Sequence, residues 1–398
     1  MARFRWFVAL LPCIAAASMG QGLPVSQAES GQNPAAAPLV LIPRSHEERE
    51  RRYRAIHHMI LNVLAVDEFN KPVTGLKRQD FVLMDNAQPQ ELASFREVNG
   101  DQGIAPPHVI LILDAVNNTS RSIAYEIKEI DKFLGSNQGH LLYPTSIAIL
   151  TPSGLKAGRT SSDGSVLLQE SGALFKDIHP YECKSSSNDA ADADPLSGHG
   201  DKNIGSSAQK IDDGNCLNSK FILSLTALTD LALAQKDVPG RVIVIWIGPG
   251  WPRLSGPEFH PDAAEIKANF FEHIVQLSRT LREDQVTVDA VSSPDVFRKA
   301  ELESVPGKSY AEGPATEEQV TARDLALQAI ATQSGGRVLE DKSVADEIAR
   351  CVADVQAYYA LSFDPAPSSK PDEYHSLQVK VDRPGVKVLT NTLYYGEP

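Results

Sequence analysis

The apolar positions of this chain fall into two kinds of run. The first is continuous: Val109 to Leu113 are all aliphatic and end in Asp114, the pattern of a parallel strand buried on both faces. A helix then opens at Ser120, with Ile123, Ile127, Ile130 and Phe133 at helical spacing as far as Leu134. The alternation continues with strands over 146–150, 241–247, 286–291 and 337–339. Helices are expected over 165–178, 221–234, 263–281, 322–333 and 343–353. Strands that alternate with helices predict an α/β domain, a doubly wound and mostly parallel sheet covered on both faces.

The second kind of run lies at the two ends. Residues 59–66 and 81–84 read as strands separated by turn chemistry, with Ala93-Ser94-Phe95 behind them. Residues 358–363, 377–381 and 386–389 repeat that character after the α/β region, with Pro384-Gly385 as a turn. The expected organisation is a β module at 55–100, an α/β domain at 105–357 and a second β module at 358–398, packed beside the first. A polar excursion at 182–216, rich in Asp, Ser and Gly, has too few large aliphatic residues to order itself and is expected to be disordered.

The N-terminus changes the setting of all this. Arg3 and Arg5 precede an uncharged run from Trp6 to Ala17, which ends in Ala15-Ala16-Ala17 before Ser18 and Gly20. That is the order of a secretory signal at 1–20, and about a dozen apolar residues is short of the roughly twenty that span a bilayer. An exported chain is expected, secreted or held in the periplasm or cell envelope, with no membrane span after cleavage; retention of the signal as an anchor is the alternative. Residues 21–54 read as a linker.

In an oxidising compartment two of the three remaining cysteines can pair. Cys183 with Cys216, which flank the polar excursion, is the expected pairing, and closing that loop contributes roughly 3–4 kcal/mol. Cys351 sits in a helical pattern and reads as a buried thiol. The net charge of −13 argues against nucleic acid as a partner, since no long run of Lys and Arg offsets it apart from Arg49–Arg54.

Taken in order, several short pieces resemble the von Willebrand factor type A-related family described mainly from acidobacteria. They are Val66-Asp67, Lys71-Pro72-Val73-Thr74-Gly75-Leu76, Asp80-Phe81, Pro89-Gln90 and Ser94-Phe95, then Leu113-Asp114. Tyr358-Tyr359-Ala360-Leu361-Ser362-Phe363, Arg383-Pro384-Gly385 and Leu393-Tyr394-Tyr395-Gly396 close the series. The resemblance covers about residues 57 to 396 and implies a Rossmann-like A-type sheet with accessory β modules from both termini, in a secreted protein.

A-type domains that bind through a metal hold Mg²⁺ or Mn²⁺ at the carboxyl ends of the strands, with an Asp-x-Ser-x-Ser motif, a Thr and a second Asp. Carried over residue by residue, Asp114 matches the first Asp, Val116 replaces the first Ser and Asn118 the second. The strand over 241–247 runs into Gly248-Pro249-Gly250, where no carboxylate follows. Too few hard oxygen ligands remain for an octahedral site, so no resident cofactor is expected; Asp114 and Asn118 are the ligands left to Mg²⁺ if one binds. Otherwise Asp114 caps a turn or the next helix.

Asp114, Asn118, Gly248, Gly250 and Trp251 are the candidate ligand-binding residues, because ligands of doubly wound sheets bind outside the carboxyl ends of the strands. No glycine-rich phosphate loop, nucleophile elbow or histidine metal cluster is evident in the sequence. The expectation is a secreted, non-enzymatic protein-binding or adhesion-type protein with a degenerate metal site and an unknown protein partner. The alternatives are an exported enzyme using Asp114 with Asp289, or a structural envelope component.

Overall fold

The computed structural model describes residues 58–100, 105–176, 178–181, 202–251, 264–292, 310–340 and 343–398. The signal at 1–20, the linker at 21–54, Cys183 and most of the acidic excursion lie outside the described residues.

In chain order the elements are β1 (Met59–Val66), β2 (Phe81–Asp85), β3 (Gln88–Gln90), β4 (Ser94–Asn99), β5 (His108–Asp114), α1 (Ser120–Leu134), β6 (His140–Thr151) and β7 (Gly154–Asp163). They continue with α2 (Gly164–Leu174), α3 (Lys202–Ala234), β8 (Val242–Ile247), α4 (Ala264–Glu283) and β9 (Val286–Val291). The series ends with α5 (Leu327–Gln333), β10 (Val338–Leu339), α6 (Val344–Asp354), β11 (Ala357–Phe363), β12 (Glu373–Val381), β13 (Lys387–Leu389) and β14 (Leu393–Gly396).

Six strands form one sheet in the order β10-β9-β8-β5-β6-β7, parallel except for β7 at the edge. Successive residues of β5 and β8 alternate between two cores. Ile110, Ile112, Val244 and Trp246 pack with α3, α4 and α5 on one face. Val109, Leu111, Leu113, Ile243 and Ile245 pack with α1, α2 and α6 on the other. The fold is therefore a Rossmann-like, doubly wound α/β domain, as the continuous apolar strands require.

α1 starts where Thr119 accepts a hydrogen bond from the Ser122 amide, and its buried face is Ile123, Ile130 and Phe133. Two elements depart from the sequence expectation. β7 is a half-exposed, polar hairpin partner of β6; lacking an apolar run, it gives no strand signal. α3 begins at Lys202, inside the excursion expected to be disordered, so its polar first half joins the apolar helix expected from 221. Cys216 on that helix is disulfide-bonded, and Cys351 is a free, buried thiol.

The terminal β segments do not form two modules side by side. β1 pairs with β11 and β13, giving the sheet β13-β1-β11-β4, while β2 pairs with β12 in the sheet β14-β12-β2-β3. Each sheet thus takes strands from both ends of the chain. Leu61, Val63, Phe363 and Tyr359 from one sheet meet Leu83, Leu377, Val379 and Tyr394 from the other in a common core. The alternation in each strand fixes which face is buried, but not which strand lies beside it, and here the partners are some 300 residues apart in sequence. Among the described residues no helix is long and apolar enough to cross a membrane.

Candidate functional site at the carboxyl ends of the central strands

The sheet order reverses between β5 and β8, so the loops that leave these two strands diverge and frame the crevice of a doubly wound fold. Asp114 ends β5 at that point, and the 248–251 loop leaves β8 beside it.

Asp114 is fully buried. Its Oδ1 accepts the backbone N–H of Val116 at 3.0 Å and of Asn117 at 2.9 Å. The Asn117 amide donates to both carboxylate oxygens, at 3.2 and 2.9 Å. Trp246 Nε1, from the next strand, donates to Oδ2 at 3.0 Å. Burial pushes the carboxyl above its ordinary range, and these N–H donors oppose that push. The arrangement is an Asx turn locked from the side by an indole, so the acid caps its own loop.

The neighbouring candidates are equally engaged. Asn118 donates through Nδ2 to Glu126 Oε2 of α1 at 2.6 Å, and its Oδ1 accepts the Thr119 amide at 3.0 Å. Gly248 has φ +139°, and a Cβ there would sit 2.8 Å from the Asp114 Cβ and 3.5 Å from Asn118 Nδ2. A side chain at 248 would therefore wedge between the two candidate ligands. Gly250 backs onto Leu327. Trp251 is buried, donates its indole N–H to the Leu325 carbonyl and packs edge-on against Trp246 with ring centroids 5.3 Å apart. The structure thus places Trp251 in the core, where aromatic area is worth most, rather than on a ligand-facing surface.

This donor set does not fit a divalent cation. Every contact to the Asp114 oxygens is an N–H, the Asn118 oxygen already accepts a backbone amide, and Val116 has no oxygen. A cation needs those lone pairs free. Among the described residues no three His, Cys, Asp or Glu side chains gather in a metal-binding group.

Asp114 and Asp289 are not brought together. Asp289 aligns with Ile245 of β8, and Ile245 with Leu111 of β5, three residues short of Asp114. Leu111 faces the α6 core whereas Ile110 and Ile112 face the α3 core, so the two acids point to opposite faces of the sheet. Asp289 instead accepts the Arg337 amide at 2.7 Å near Asp354 and Cys351, and burial first, then the Asp354 charge, holds its carboxyl up at about 6.

Two residues of this cluster escape a motif reading. Asn117 lies between the positions a metal motif uses, yet it bridges Asp114 to Ser224 Oγ of α3 at 2.9 Å. Its Oδ1 has no hydrogen-bond partner among the described residues. Trp246 reads as one more apolar residue of a buried strand; its role depends on strand adjacency.

No family model matches the chain, and no curated protein matches it. Among solved structures it is similar to the human COPII-coat protein Sec24c, with a TM-score of 0.33 and 9% sequence identity, over 82% of this chain and 48% of that one. The chain spans about half the length of that structure.

Proposed function

We propose that this chain is an exported binding or adhesion-type protein whose doubly wound domain is a degenerate von Willebrand factor A-type domain, and that its sheet edge works without metal and without catalysis. The observation that carries this reading is the closed Asp114. The acid at the position that resembles a metal ligand is spent on holding the 115–118 loop against Trp246, which gives a rigid strand end in place of an open coordination site. In this reading, recognition of a protein partner falls to the loops after β5 and β8, set by the fold at the crevice.

The test is capture from envelope extract with the full chain and a variant whose 248–253 loop is replaced. A single partner that is retained by the parent chain and lost with the loop replacement supports the reading. A partner held equally by both places recognition elsewhere and sinks it.

A further inference from the structure

The β sandwich gathers a second set of polar side chains, unconnected with the sheet edge. Asp85 ends β2, His375 lies in β12, Tyr394 in β14, and Ser368 in the loop before β12. His375 Nδ1 is 2.9 Å from Asp85 Oδ1, and His375 Nε2 is 3.1 Å from Ser368 Oγ. Tyr394 donates its hydroxyl to the other Asp85 oxygen at 2.6 Å, and its ring stacks on the imidazole at 4.4 Å between centroids. Tyr394 Oη at 2.9 Å and Asn86 Nδ2 at 3.4 Å also face Nδ1; with the proton on Nδ1, donated to the carboxylate, the Nε2 lone pair is turned toward the serine hydroxyl. Hydroxyl, imidazole and carboxylate thus stand in the order and at the distances of a nucleophile, its base and the group that orients the base.

Two more features serve that arrangement. A Cβ at Gly396 would fall 2.0 Å from Ser368 Oγ and 3.3 Å from His375 Nε2, so a residue without a side chain is what lets β14 run past the hydroxyl. A narrow cleft also reaches Ser368, bordered by Met59, Arg282, Pro365, Pro367 and Tyr395. Its walls are mixed: Arg282, whose guanidinium lies 3.7 Å from Glu283, and Glu397 stand among the apolar residues.

We propose that Ser368 is the nucleophile of an acyl-transfer site for small esters, with His375 as general base and Asp85 as its positioning residue. Ser368 Oγ bonds to the ester carbonyl carbon as its proton passes to His375 Nε2. The carbon–oxygen bond to the alcohol breaks, and the alcohol leaves with that proton. Water then attacks the acyl-serine, gives its proton to Nε2, and the serine recovers it as the acid departs. This goes beyond the binding reading, which concerns the other domain and stands or falls separately.

The experiment uses the full chain with p-nitrophenyl acetate and a fluorophosphonate probe, read by nitrophenol release and by mass spectrometry of the Ser368 peptide. The expected result is an adduct on Ser368 that is lost in S368A, with release slowed roughly 10²-fold in H375Q. Melting midpoints of all variants are recorded alongside. A folded parent chain that gives no Ser368 adduct overturns the proposal, as does nitrophenol release unchanged in S368A. Lowered midpoints with no adduct anywhere would mean that the four side chains only tie the strands together, which equally overturns it.

Discussion

Asp114 and Asp85 both end a strand and both are buried, at 0% and 5% exposure, yet one is surrounded by N–H donors and the other by an imidazole and a phenol. Amide and indole N–H groups do not titrate at working pH and serve as donors only, so they hold the Asp114 carboxylate in place. The partners of Asp85 can move a proton onward, because an imidazole that donates at one nitrogen accepts at the other. Two acids with the same residue type, the same position on a strand and nearly the same burial thus differ in chemical capacity through their partners alone. Asp114 is a structural cap; Asp85 orients a base.

The comparison breaks most visibly at Asp114. Asp114→Ala orphans two backbone amides, the Asn117 amide and the Trp246 indole in a dry site, and should cost about 4 kcal/mol in urea unfolding. A loss under about 1 kcal/mol would show that the carboxylate is not what holds the loop.

A third buried acid sharpens the contrast through pH. Asp289 is held up at about 6, above its unfolded value of about 4, so the folded state binds its proton more readily than the unfolded one. Above about pH 6 the group is ionised in both states and its buried charge opposes folding. That opposition is relieved as pH falls from about 6 and is gone below about 4. Wild type should therefore gain on Asp289→Asn by about 2–3 kcal/mol between pH 7 and pH 4, measured by denaturant unfolding at each pH. A difference that does not change with pH would show that Asp289 keeps its ordinary affinity for protons.

Trp246→Phe keeps most of the ring packing and removes only the indole donor to Asp114, so its expected cost is about 2 kcal/mol. Combined with Asp114→Ala it should add much less than that, because the bond is already lost; full additivity would contradict the pairing. The smallest expected effect is none. Calorimetric titration with Mg²⁺ or Ca²⁺ should give no micromolar binding, and binding that Asp114→Ala abolishes would reopen the metal site.

Much of the α/β domain is legible along the chain because its signals are local. Val109–Leu113 is apolar without interruption since β5 is buried on both faces, and Ile123, Ile130 and Phe133 recur at helical spacing since α1 has one buried face. β7 escapes because it is a polar edge strand, defined by its hydrogen bonds to β6 rather than by burial. Asp114 stands out as an acid ending an apolar run. Its closure does not, because the decisive donor, Trp246, lies 132 residues away in sequence. Ser368, Asp85 and His375 carry no local motif at all: Asp85 and His375 are separated by 290 positions and meet because β2 pairs with β12.

By itself, then, the sequence determined the order of strands and helices, the two-faced burial of the central strands and the β character of both ends. Those follow from side-chain periodicity, which each segment carries alone. Only the tertiary structure decided that the two ends interleave into one sandwich, that Asp114 is capped by an indole rather than left open, and that a serine, a histidine and an aspartate share one line of hydrogen bonds. Strand partners are chosen by the free energy of the whole assembled core, and that choice is not written in any one segment.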